Sequence, residues 1–291
     1  MSIKEKGKQL AASMRRLATT SGLAVNELRV LIALERVAAR LVAVKRLREA
    51  LVFKGGFALL KTASSRRFTR DLDALVTQVP REAMKVEIIQ ALEADLEDGL
   101  WFGDVQMTDL PDHGEYEGIR FSAAYQIGEI PAPAKIHKLS RVHFDIAFGD
   151  ILPLGSHSGS MRSIVPDFAD ISWQVYPLAS IVAEKLETLV RRGSLNSRAK
   201  DCYDLVLLLE IVTPTKDFAR VVRETFSHRN IELPGSFEQM FLSLDLTVLR
   251  NAWRSVTLTE DALSFDECVQ KLTVLLRGVD ALLKQPIGTS I

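Results

Sequence analysis

The sequence offers little sulfur for cross-linking and no long apolar run. Two cysteines, Cys202 and Cys268, stand far apart among 291 residues. They are too few for a disulfide framework, and their separation does not suit a zinc site. No stretch approaches the roughly 18 consecutive apolar residues of a membrane span, and the charged start MSIKEKGKQL has no apolar segment behind it. These absences lead to the expectation of a cytoplasmic chain with no membrane contact. An excess of one charge is missing too: Lys plus Arg and Asp plus Glu number 37 each. No overall field draws in a polyanion from a distance, so any such partner must be held by local patches.

What is present is an ordinary globular composition, 47% hydrophobic and 25% charged, which can build a core and argues against disorder. The length exceeds one compact core, so two domains are expected, with the boundary near residue 170. Domain one (residues 1–170) opens with helical text over 2–44, whose Arg15, Arg16, Arg40, Lys45 and Arg46 are spaced to stay on solvated faces. Short strands are predicted at 50–53, 71–77, 105–108, 119–125 and 142–148, with helices over 57–62 and 82–100. An αβ unit continued by antiparallel strands implies a mixed sheet with helices against it, an α+β arrangement. GSHSGS at 155–160 reads as irregular chain. Domain two (171–291) reads as helices over 179–192, 198–212, 216–228, 235–243 and 259–284.

The chemistry-bearing text begins at residues 51–76, LVFKGGFALLKTASSRRFTRDLDALV. Residues two apart on a strand share a face, about 6.6 Å apart along the chain, so Asp71 and Asp73 can converge on a cation while Leu72 and Ala74 pack behind. Mg²⁺ takes such hard oxygen ligands together with substrate phosphates. Two solvated acids on a surface strand are the competing interpretation. Gly55 and Gly56, between strand and helix, can form a corner whose N–H groups face a phosphate, or a mere turn. Lys54, Lys61, Arg66, Arg67 and Arg70 surround both features. Asp145, in HFDIAF, is a candidate third acid for a two-metal site, with His143 beside it as a neighbour rather than a ligand.

In the second half, helical spacing puts Lys185 within the apolar arc of Ile181, Val182, Leu186 and Leu189, with Glu184, Glu187 and Arg191 pointing away. Asp201 falls in the apolar stripe of Leu205, Leu208 and Val212. An uncompensated carboxylate there costs several kcal/mol, so it must meet Lys185, Arg198 or a bound nucleotide. A buried ion pair clamping two helices and a catalytic group both satisfy that demand.

Taken in order, KGG at 54–56, RFTRDLD at 67–73, FDI at 144–146, AEKL at 183–186 and SRAKDCYDL at 197–205 resemble the nucleotidyltransferase toxins of the AbiEii/AbiGii type, the toxin half of type IV toxin–antitoxin and abortive-infection systems. The resemblance covers roughly residues 45–212. It implies a DNA polymerase β-like nucleotidyltransferase fold, a mixed sheet with helices, followed by a C-terminal helical domain. It implies transfer of a nucleoside monophosphate from an NTP to an RNA acceptor, the tRNA 3′ end in characterised relatives, and a cognate antitoxin or operon-encoded regulator as partner. Carried onto this chain, it gives Gly55 and Gly56 the triphosphate, with Lys54, Arg67, Thr69 and Arg198 as further nucleotide-binding candidates. Asp71 and Asp73 receive the Mg²⁺, Asp145 is the third metal acid, and Lys185 and Asp201 serve the nucleotide or reaction centre. One departure is Phe57, where many members of the wider superfamily carry a hydroxyl residue; Thr69 is the candidate substitute. Arg191, Arg192, Arg198 and Lys200 lean towards RNA as acceptor. The alternatives are a small-molecule or protein acceptor on the same fold, and an inactive nucleotide-binding interaction module.

Overall fold

The computed structural model describes residues 1–63, 65, 68–76, 79–110, 117–212, 215–256 and 263–285. The chain divides into two units: Met1–Asp150 with Ser156–Val175, and Ile151–Gly155 with Tyr176–Ile291.

The first unit runs through α1 (Ile3–Ser21), α2 (Val25–Ala43), α3 (Lys45–Ala50), β1 (Leu51–Lys54), α4 (Gly55–Thr62), β2 (Asp71–Val76), α5 (Arg81–Glu93), β3 (Leu100–Leu110), β4 (Gly118–Ile127), β5 (Arg141–Phe148), β6 (His157–Met161) and β7 (Ile171–Val175). Among the described residues the strands form one sheet in the order β3-β4-β5-β2-β1-β7-β6. It is mixed: β2 runs parallel to β5 and β1 to β7, and the remaining pairs are antiparallel. Alternation along each strand sends one face into the core. Leu72, Ala74, Phe144, Ile146, Ile119 and Phe121 are all buried there, with Phe121 and Phe144 stacked at 4.9 Å and Phe53 against Trp173 at 5.3 Å.

Two expected elements differ in this unit for identifiable reasons. The helix expected over 82–100 stops at Glu93, and β3 begins at Leu100; between them Asp98 turns inward to meet Arg36 and Arg40. The polar text at 157–160 forms, with the buried Met161, β6, an edge strand whose first four residues are exposed and which backbone pairing with β7 holds in place.

Arg40 departs furthest from its expected solvated face. Only 1% exposed, it donates to both Asp98 oxygens at 2.7 and 3.0 Å and to the carbonyl of Leu100 at 3.0 Å. Arg36 Nε adds a bond to the same carboxylate at 2.8 Å. Because α2 packs against α1, α5 and the sheet, little of its surface remains for solvent. Burial pushes the Asp98 carboxyl up, but Arg40 and Arg36 outweigh it and hold it below the ordinary value. Replacing Arg40 with Ala leaves this carboxylate buried and under-compensated, and urea unfolding is expected to show a loss of about 3–5 kcal/mol.

The second unit contains α6 (Leu178–Arg192), α7 (Ala199–Ile211), α8 (Lys216–His228), α9 (Phe237–Leu242), α10 (Thr247–Ala252) and α11 (Phe265–Leu283). Glu187, expected to point away, is fully buried. It accepts from Arg191 at 2.8 Å and from Arg229, just beyond α8, at 2.7 Å. The second packed side of α6, against α8, makes an inward position of one that a single-stripe pattern assigns to water. Asp280 on α11 accepts from the N–H groups of Phe237 and Glu238, satisfying donors at the start of α9 that have no partner within the helix. No single described helix is long and apolar enough to cross a membrane.

Candidate active site

The Gly-Gly corner and the acid pair are one structure. Gly55 follows β1 with φ of +70°, a left-handed conformation that disfavours any residue with a Cβ. A Cβ built on Gly55 would lie 1.9 Å from Asp73 Oδ2. The Asp73 carboxylate therefore rests against the bare backbone of the corner, in the space a side chain would fill. Gly55 is required twice here, for its dihedral and for this close approach. Phe57, two residues on, is fully buried and meets Trp173 edge-on at 6.4 Å, so this position serves the core.

Strand register lines up the rest. Lys54 on β1 pairs with Asp73 on β2, Asp73 with Asp145 on β5, and Asp145 with Arg120 on β4. Cross-strand partners share a face, giving a transverse row of Lys54, Asp73, Asp145 and Arg120. A second row holds Asp71, His143 and Ser122. Leu72 and Ala74 lie buried on the opposite face.

Asp145, expected as the third metal acid, is held by Arg120. The guanidinium Nε donates to Oδ1 at 2.8 Å and Nη2 to Oδ2 at 2.7 Å, a bidentate pair. These hydrogen bonds, reinforced by the charges of Asp145, Asp71 and Asp73, raise the Arg120 pKa above the ordinary arginine value. Among the described residues no group of three His, Cys, Asp or Glu side chains is arranged to hold a metal ion. Asp71 and Asp73 remain as two hard oxygen donors on one strand face, a set that fits Mg²⁺ when phosphates and water complete its shell.

Other candidates fall into place around this face. Lys54 Nζ lies 3.2 Å from Asp150, which the sequence analysis did not select. The Thr69 hydroxyl donates to the Asp71 carbonyl at 3.2 Å, bracing the entry to β2. The buried Nδ1 of His143 has no hydrogen-bond partner among the described residues. Lys61 bonds the buried Glu35 at 2.6 Å, and Glu35 also accepts from Ser163 and the Ile164 N–H, fixing the far end of α4. Arg66 and Arg67 lie outside the described residues.

In the second unit Lys185 and Asp201 do meet. Lys185 Nζ is 2.5 Å from Asp201 Oδ1 and 3.0 Å from Asp204 Oδ2, and Arg198 Nε donates to Asp201 Oδ2 at 2.5 Å. Burial pushes the Asp201 carboxyl up, but Lys185 and then Arg198 reverse this and hold it well below the carboxylate range. Asp204, fully buried, is a full member of the cluster. Arg191 is bonded to Glu187 and Arg198 to Asp201, so neither is an uncommitted cation for RNA. Cys202 beside Asp201 is a packing residue: burial pushes its thiol far above the ordinary range, and that of Cys268 up to about 12.

Comparison with known proteins adds to this geometry. The family model described as nucleotidyl transferase AbiEii toxin, type IV toxin–antitoxin system, matches residues 37–271. Among solved structures, JHP933 from Helicobacter pylori aligns with a TM-score of 0.56 at 15% identity, covering 90% of this chain and 95% of that one. MenT4, nucleotidyltransferase toxin Rv2826c from Mycobacterium tuberculosis H37Rv, aligns at 0.55 and 17% identity over 94% of this chain and 99% of its own. A search of curated proteins finds no match. The structural likenesses establish a shared mixed α/β nucleotidyltransferase fold.

Proposed function

This chain belongs to the AbiEii family of nucleotidyltransferase toxins of type IV toxin–antitoxin systems, and on that premise we propose that it transfers a nucleoside monophosphate from an NTP to an RNA acceptor, the 3′ end of a tRNA. A cognate antitoxin is its expected protein partner. The observation that supports the reading is the contact of the Asp73 carboxylate with Gly55, which sets the acid pair beside the glycine corner.

Asp71 and Asp73 would hold Mg²⁺ with their carboxylate oxygens. The bound ion would polarise the phosphate oxygens and neutralise charge that builds up during transfer. Gly55 and Gly56 are assigned to the triphosphate: neither carries a side chain, and the carboxylate that fills the space over Gly55 belongs to the acid that would hold the ion. Lys54 contributes positive charge at the same corner. Lys185 and Asp201 are assigned to the transfer reaction in the second unit, with Arg198, bonded to Asp201 and with 47% of its side chain exposed, as the neighbouring cation assigned to the nucleotide. The acceptor hydroxyl oxygen attacks the α-phosphorus, and the bond from that phosphorus to the bridging oxygen breaks. Pyrophosphate leaves with the electron pair, and the hydroxyl proton passes to solvent. Such chemistry depends on positioning and charge neutralisation rather than a protein nucleophile.

Incubation with total tRNA, Mg²⁺ and each α-labelled NTP is expected to label RNA. Label confined to a small acceptor would instead favour the small-molecule alternative, and NTP binding without transfer would favour an inactive module. Asp73→Asn is expected to lower transfer by about 10²–10³-fold and to relieve growth inhibition in the same proportion. Unchanged transfer would remove Asp73 from the mechanism.

A further inference from the structure

The acid face carries three carboxylates, and one already has a cation. Asp145 stands beside Asp73 in register, and both of its oxygens accept from Arg120. The guanidinium is fixed by a planar two-bond match that a lysine could not reproduce. Asp71 and Asp73 add their negative charge to the surroundings of the guanidinium. Each Asp145 oxygen retains lone-pair capacity, but a divalent ion placed there would stand beside a like charge.

We propose that Arg120 holds the place of a second metal ion: the site binds one divalent cation through Asp71 and Asp73, and Asp145 is a partner of Arg120 rather than a metal ligand. This rests on the nucleotidyltransferase reading of the same face. It differs from a two-ion arrangement, in which a pair of ions about 3.5–4 Å apart would share the carboxylates. Arg120 is a positioning residue. Its fixed charge balances the third acid without needing an ion from solution.

Manganese is a paramagnetic stand-in for magnesium, and electron paramagnetic resonance separates a lone Mn²⁺ from a spin-coupled pair. The full-length protein, saturated with a non-hydrolysable NTP analogue, is titrated with Mn²⁺. The expected result is saturation at one ion per chain with an uncoupled spectrum, unchanged in Asp145→Asn and lost in Asp73→Asn. Arg120→Gln, at a side chain 44% exposed, is expected to admit a second ion and produce a coupled spectrum, whereas Arg120→Lys, retaining the charge, keeps the count at one. A coupled pair in the unaltered protein would overturn the inference while leaving the nucleotidyltransferase reading intact. So would loss of the ion in Asp145→Asn with the fold preserved by circular dichroism, or a count that stays at one in Arg120→Gln. Retention of the ion in Asp73→Asn, or no ion at all, would overturn both.

Discussion

Gly55→Ala is expected to lower nucleotidyl transfer by about 10²-fold or more, the scale of a misplacement of roughly 1 Å at a reacting centre. The added methyl would lie 1.9 Å from Asp73 Oδ2, with the backbone held at φ of +70°. Either the carboxylate moves off the corner or the corner moves off the carboxylate, and both separate the metal acid from the phosphate site. The left-handed conformation adds about 1–2 kcal/mol of strain, so the thermal midpoint should fall by only a few degrees while activity collapses. Single-turnover kinetics with saturating NTP, alongside a melting curve, checks the pair of outcomes. A variant with full activity would show that the contact between corner and carboxylate is dispensable.

Lys185→Met is expected to cost as much stability as Arg40→Ala. Lys185 pairs with both Asp201 and Asp204, and Arg198 adds a second cation to Asp201. Its removal strands negative charge in the interior of the second unit, at about 3–5 kcal/mol. Linkage gives the same cluster a signature in pH. The folded Asp201 carboxyl titrates below its ordinary 3.8. Its stabilising contribution is therefore fully present above that value and is lost as pH falls through the folded one. Asp201→Asn should flatten the acid limb of stability against pH. Urea unfolding between pH 3 and 7, a range of about four units centred above the ordinary aspartate pKa, reads both variants. An Asp201→Asn curve parallel to that of the unaltered protein would contradict the assignment.

The carboxylates were legible because their positions conflict with simple patterning. Asp71 and Asp73 repeat at strand spacing beside buried Leu72 and Ala74, and Asp201 lies in an apolar helical stripe, so its need for a cation can be deduced before any partner is known. The partners of Asp145 and Asp98 were not legible in this way. Arg120 alternates with buried Ile119 and Phe121, which sends it to the acid face, but only strand register puts it opposite Asp145, and residues 128–140 separate the two strands without fixing that register. Arg40 and Glu187 were misplaced for a related reason. A periodic stripe identifies one packed side of a helix, whereas α2 and α6 are covered on more than one.

The central claim is that a metal-bound nucleotide sits where β2 meets the glycine corner. Anomalous scattering from Mn²⁺ in crystals grown with a non-hydrolysable NTP tests it most directly. The account predicts one peak bridging the carboxylates of Asp71 and Asp73, with the triphosphate lying over Gly55 and Gly56. A peak on Asp145 with Arg120 displaced, or a triphosphate bound away from the glycines, would contradict it.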